Sequence, residues 1–312
     1  RQCARQYWAM TQSHADRPLL GIVLMLGFCL LIPFSDALAK MLGDRFPLWQ
    51  LIMVRFLAQA GLLLPLALWR GAVIFSSTRV VRLAAMRSVL QICGIAMMFS
   101  ALRFLPLADA VAIAFVMPFI MLILGHYVLG EEVGPRRLAA CTVGFIGTLM
   151  VVQPSFAAVG WPALLPLAVA VVFALFMLVT RQIAKEIDPI ALQGLGGIIG
   201  LPLLGALWFL PAMEGSPPLI GWTAPPDQGA LWLLLALGIT GSLGHLLMSW
   251  SLRFAPASTL APMQYLEIPM AALVGLVLFA EFPNGLALAG IGVTIAAGLY
   301  IVARERRLSR AD

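Results

Sequence analysis

Among the ionisable side chains inside long apolar runs of this chain, four come first. Asp36 and Lys40 share one run and Arg55 lies in the next. Glu267 lies in a run near the C-terminal end, in Gln264-Tyr265-Leu266-Glu267-Ile268-Pro269. A charge at the centre of an apolar membrane helix costs at least about 2.5–3.5 kcal/mol, so each of these residues demands a partner, water or a ligand. Asp36 and Lys40 are four apart, which puts them on one helix face where they can pair near an outer interface. The alternative is that this face lines the outer part of a cavity. Arg55 stands seven residues into its run, about 10 Å along a helix, too deep to reach the surface easily. It either pairs with Asp36 or meets an anionic group of a ligand. Pro269 lacks a backbone N–H, which frees a carbonyl near residue 265 and invites a kink. A titratable carboxylate at that depth suits proton coupling or the binding of an ammonium group. The plainer alternative is an ion pair with Arg55 or a hydrogen-bonded protonated acid. Gln264 shares the face of Glu267, and Tyr265 and Gln91 add polar groups at mid-helix depth. Asp36, Lys40, Arg55, Gln91, Gln264, Tyr265 and Glu267 are therefore the candidate binding residues, with Glu267 also the candidate coupling residue. Arg87 is only a turn inside its run and reads as a side chain that snorkels to the surface.

Other chemistries find little support. Ser242 and His245 are three apart, but Thr240 occupies the first glycine position of a nucleophile elbow, so no catalytic serine is expected. His245 reads as a packing or cavity residue. The three histidines, His14, His126 and His245, lie on separate segments, and no metal site is expected. The four cysteines, Cys3, Cys29, Cys93 and Cys141, have neither metal-ligand nor Cys-x-x-Cys spacing and read as small packing residues. No glycine is followed by Lys-Ser or Lys-Thr, so no ATP-binding loop of that kind is expected. No cofactor is expected.

The elements that hold these residues follow from composition. Of 312 residues, 62% are hydrophobic and 11% charged, and mean hydropathy is +0.98. Soluble domains carry about 25% charged residues; this chain has too much apolar surface to hide from water. Apolar runs long enough to cross a bilayer are expected at Leu19–Leu42, Leu48–Trp69, Leu83–Ala101, Ala108–Leu129, Leu138–Val152, Trp161–Thr180, Ile190–Leu210, Ala230–Leu252, Thr259–Ala280 and Leu286–Val302. The expected fold class is all-α and polytopic, with ten transmembrane helices. The first run reads as a retained span, because no small-residue cleavage site follows it. With a cytoplasmic N-terminus, fifteen Lys and Arg fall on inside segments and three on outside ones, so both termini are expected to be cytoplasmic. The net charge of +6 is accounted for by these short basic loops, and no nucleic-acid partner is expected.

The two halves echo each other. Ala101-Leu102-Arg103-Phe104-Leu105-Pro106 matches Ser251-Leu252-Arg253-Phe254-Ala255-Pro256 at an offset of 150, and Glu131 matches Glu281 at the same offset. Pro118 and Pro269 correspond with a slip of one residue. Two five-helix repeats are therefore expected, residues 19–152 and 161–302. Five is odd, so the second must enter the membrane from the opposite side, an inverted repeat as in many secondary transporters. Gly238, Gly241 and Gly244, and the cluster from Gly194 to Gly200, read as small-residue faces for close helix packing. Glu131 and Glu132 with Arg136 and Arg137 read as a cytoplasmic charge network.

At these residues the chain resembles the EamA-type branch of the drug/metabolite transporter superfamily. Each half has an Arg-x-x-Pro hairpin, a mid-helix proline, and a glutamate ending that helix before a glycine-rich last helix. Asp36-Ala37-Leu38-Ala39-Lys40, Pro47 and Arg55 resemble a proteobacterial group within it. The resemblance runs from Leu19 to Val302. It implies ten helices, cytoplasmic termini, a location in the inner membrane and a central cavity between the repeats. It also implies alternating-access transport of an amino acid, nucleotide-like metabolite, vitamin or organic acid. Glu267 departs from the pattern, where an apolar or small residue is usual. A membrane-embedded enzyme or a non-transporting scaffold is the competing class. The expected partners are a small-molecule substrate and membrane lipid, with the chain a monomer or homodimer.

Overall fold

A computed structural model describes residues 17–131, 134–152, 160–207, 221–281 and 285–308. The regular structure among the described residues is all helical, with no strand among them. In chain order the helices are α1 Pro18–Leu42, α2 Leu48–Trp69, α3 Thr78–Ala101, α4 Leu107–Ala114, α5 Met117–Leu129, α6 Pro135–Val152, α7 Leu164–Ile183, α8 Pro189–Leu207, α9 Gln228–Phe254, α10 Ala257–Gln264, α11 Glu267–Phe279 and α12 Gly285–Leu308. A short 3-10 turn, Trp161–Ala163, leads into α7.

Six helices, α1, α2, α3, α7, α8 and α9, are long and apolar enough to cross a bilayer. The protein is a multi-pass membrane protein. Its outward faces carry large apolar side chains, among them Leu30, Leu68, Trp69, Val171, Trp232 and Val277, which lipid accepts and water does not. The short third run of the sequence reading grows to 24 residues. Its start is fixed by Ser77, whose hydroxyl accepts from the Val80 N–H at 3.2 Å. Asp227 caps α9 in the same way, accepting from Ala230 N–H at 2.7 Å.

The expected helices 108–129 and 259–280 are each broken in two. Phe115–Val116 separates α4 from α5, and Tyr265–Leu266 separates α10 from α11. Pro118 and Pro269 supply the cause. Neither can donate the i→i−4 hydrogen bond, and each ring crowds the carbonyl one turn back. The kink expected at Pro269 is thus a full interruption, and Glu267 becomes the first residue of α11.

Helix pairs run across the two halves of the chain. α1 packs along α9, α3 along α7, α2 along α8, and α6 along α12. Small residues allow the closest of these approaches. A methyl group on Gly197 would lie 2.8 Å from Ala60 Cβ, and one on Gly200 2.2 Å from the Phe56 ring. The glycine cluster of α8 is thereby pressed against α2 of the same chain.

Candidate functional site

The paired helices leave a central cavity, lined from α1, α2, α3, α4, α5, α7, α9 and α11 and by Phe115 of the α4–α5 break. Asp36 reaches it from α1, Arg55 from α2 and Glu267 from the start of α11. All three are almost fully buried, at 4%, 4% and 6% exposure, so no side chain here escapes to solvent by stretching. Yet the ion pairs among the described residues are Lys40–Glu281, Arg79–Glu186 and Arg181–Glu131. Neither a direct Asp36–Arg55 ion pair nor a Glu267–Arg55 ion pair is formed, although Asp36 and Arg55 lie close enough to attract each other across the cavity. Arg55 Nη2 and Glu267 Oε2 have no hydrogen-bond partner. The Arg55 guanidinium lies 5.5 Å from the Phe99 ring centroid and against Gly241, where a methyl group would come within 2.5 Å of it. Gly241 is what lets Arg55 lie flat along α9.

The rest of the wall is apolar and carries the rings of Phe28, Phe99, Phe115, Phe173 and His245. His245 is stacked on Phe173 at 5.9 Å and meets Phe28 edge-on at 6.3 Å and Phe176 at 5.5 Å. Its Nδ1 has no partner. The cavity therefore offers flat apolar faces together with one cationic and two acidic groups, and Arg55 and Glu267 have bonding capacity to spare. Apolar walls with a few convergent polar groups are the usual form of small-molecule sites.

The other sequence candidates lie elsewhere. Lys40 does not pair with Asp36. Its Nζ bonds Glu281 Oε1 at 2.5 Å and the Leu105 carbonyl at 3.4 Å, over the Phe279 ring. Glu281 Oε2 also accepts from the Leu107 N–H at 3.2 Å, capping α4. Glu281 thus offers Lys40 a carboxylate already fixed at a helix end, while Asp36, one turn deeper, faces the cavity. Gln91 donates to Gln59 Oε1 at 3.1 Å, outside the cavity lining. Gln264 donates to Met177 Sδ at 2.9 Å. Tyr265 is fully buried in the helix break against Phe115. Neither residue lines the cavity.

Two further expectations are corrected. Arg87 does not snorkel; it is fully buried. Its Nε and Nη2 donate to Thr180, Gln193 and Ser249, side chains of three helices packed around it. Glu131 does not close a local network with Arg136. It pairs with Arg181 at 3.2 Å and accepts from the Ala257 and Ser258 N–H groups at 3.2 and 2.9 Å, capping α10. Glu132 lies outside the described residues, as does the side chain of Arg137. Glu131 and Glu281 therefore do the same work in the two halves. Each ends one broken helix, caps the broken helix of the other half, and binds a cation.

The EamA-like transporter family model matches residues 19–153 and 160–303. A riboflavin transporter of Rhizobium johnstonii is 27% identical over 72% of this chain and 71% of its own length. An S-adenosylmethionine uptake transporter of Rickettsia prowazekii is 24% identical over 88% of this chain and 89% of its own. A pseudopaline exporter of Pseudomonas aeruginosa is 25% identical over 92% and 97%. One solved crystal structure superposes with a TM-score of 0.71 at 19% identity, covering 93% of this chain and 98% of that one, and shares the fold.

Proposed function

The chain belongs to the EamA-like transporter family, and from that membership we propose that it is a secondary transporter of a small amphipathic metabolite. Its curated relatives are named as metabolite transporters, which supports a transporter over an enzyme. The observation that carries the reading further is the cavity itself. It holds the buried groups Asp36, Arg55 and Glu267, none in an ion pair among the described residues, between apolar and aromatic walls. Burying such groups unpaired is costly. A bound substrate that pairs with them returns that cost as affinity and selectivity.

The mixed signs favour a zwitterionic or mixed-charge substrate with a flat ring system. Arg55 would take a carboxylate or phosphate and Asp36 and Glu267 a cationic group, while His245 and the phenylalanines stack on the ring. Riboflavin and S-adenosylmethionine, the cargoes named for two relatives, both carry fused heteroaromatic rings. Glu267 is also the group through which a proton would couple to transport.

Movement would use two five-helix halves, 19–152 and 161–302, lying in opposite orientations in a bacterial inner membrane with both termini cytoplasmic. In that arrangement Lys40–Glu281 closes the outer side and Arg181–Glu131 the inner side. Each would open in turn. A competition screen tests the reading. Unlabelled flavins, nucleosides, amino acids and carboxylates compete for uptake into proteoliposomes holding the purified protein. Saturable uptake that Arg55→Ala weakens without abolishing is expected; protein-dependent flux absent for every class would refute it.

A further inference from the structure

Arg87 has no part in the cavity, yet the fold spends much on it. Its guanidinium is fully buried, and among the described residues no carboxylate pairs with it. Its Nε donates to Thr180 Oγ1 at 2.9 Å. Its Nη2 donates to Gln193 Oε1 at 3.1 Å and Ser249 Oγ at 3.3 Å. The Phe176 ring lies 4.4 Å beneath it. Every one of these partners is neutral. Arg87 Nη1, Gln193 Nε2 and Gln91 Oε1 have no partner at all. A guanidinium keeps its charge in a protein, and an uncompensated buried charge with unmet donors is among the costliest features a fold can hold.

The position of this cluster relative to Arg55 gives it a use. One face of α9 presents Gly241, His245 and Ser249 on successive turns. Gly241 abuts the Arg55 guanidinium, and Ser249 holds Arg87. Eight residues of helix put the two cations about 12 Å apart along the axis. His245 stands between them, and Phe176 touches both His245 and Arg87. The cluster draws on α3, α7, α8 and α9, helices from both halves, so relative movement of the halves reshapes it.

We infer that Arg87, with Gln193 and Ser249, forms a second anion subsite that receives the oxyanion of a substrate as it leaves Arg55. The inference rests on the transporter reading above and adds a second station to it. The substrate class it selects bears a carboxylate or phosphate.

Single cysteines test it without knowledge of the substrate. The four native cysteines are replaced by alanine, and Ile95→Cys, on the cavity wall, or Ser249→Cys is added. Reconstituted protein is treated with a sulfonate-bearing methanethiosulfonate and with its trimethylammonium analogue. Rates are referred to those with free 2-mercaptoethanol. Modification at both positions is expected. Ser249→Cys should favour the anionic reagent by about tenfold or more, as a site of one charge sign concentrates counter-ions. That preference should vanish when Arg87→Gln is added and persist with Arg87→Lys. If Ile95→Cys reacts while Ser249→Cys stays unmodified, or shows no anionic preference, or keeps its preference without Arg87, the second subsite is overturned and the cavity stands. If Ile95→Cys is itself unreactive, the transport cavity falls and the subsite with it.

Discussion

Gly241→Ala tests the geometry of the site while removing no polar group. A methyl group at Gly241 would lie 2.5 Å from the Cζ, Nε and Nη2 atoms of Arg55. Ordinary contacts between heavy atoms are about 3.5–4.0 Å, so the guanidinium must withdraw by about 1–1.5 Å. It is the end of a flexible side chain and can do so, and alanine is the better helix former by about 1 kcal/mol. The fold should therefore survive with little change in thermal stability. A charge-assisted hydrogen bond to a substrate oxyanion would not survive the shift, since such bonds sit near 2.7–2.9 Å. Its net worth of about 1.5–3 kcal/mol converts to roughly a 10- to 150-fold rise in KM. The assay is substrate uptake into proteoliposomes, with detergent-solubilised melting as the control for folding. The same substitution in an Arg55→Ala background should add nothing, because both changes act through one group. A wild-type KM for Gly241→Ala, or an additive loss in the double variant, would refute the placement of Arg55 at the substrate.

Glu267→Gln keeps the shape of the carboxylate and removes its charge; flux should fall at least about tenfold, the loss of one charge-assisted contact, with folding intact by gel filtration. Glu281→Gln and Glu131→Gln should each weaken one side of the cavity by roughly 1–3 kcal/mol, enough to shift a two-state balance about 5- to 150-fold. A cysteine at Ile95 should become more reactive from outside in the first variant and from inside in the second; the same direction in both would contradict the clamp assignment. Tyr265→Phe removes a hydroxyl that has no partner, so uptake should be unchanged and stability equal or up to about 1 kcal/mol higher. A large loss of uptake would return Tyr265 to the binding site.

What the sequence disclosed and what it hid follow one physical division. The long spans were legible because hydropathy is local; α2 has the bounds read from its apolar run. The breaks at residues 115–116 and 265–266 were half legible, since a proline announces a lost hydrogen bond but not whether the helix bends or stops. Asp36, Arg55 and Glu267 were found as a cost that lipid imposes, and the fold brings them to one cavity. Partnerships were not legible. Lys40 stood beside Asp36 by spacing but bonds Glu281, 241 positions away. Arg87 looked close enough to the surface to reach it, and only Thr180, Gln193 and Ser249, brought in from 93, 106 and 162 positions away, hold it inside. The phenylalanines that flank His245 carried no signal among so many apolar residues. Their role comes from convergence of α1, α7 and α9.

The central claim is that two similar halves face opposite ways across the membrane, so that one polar hollow is served from both sides. Asp44 in the α1–α2 hairpin and Lys185 in the α7–α8 hairpin occupy corresponding places in those halves, and both are exposed. Single cysteines at the two positions, labelled in right-side-out vesicles with a membrane-impermeant maleimide, decide the matter. Labelling at residue 44 and protection at residue 185 until the vesicles are opened is the predicted result. Labelling of both from the same face would contradict it.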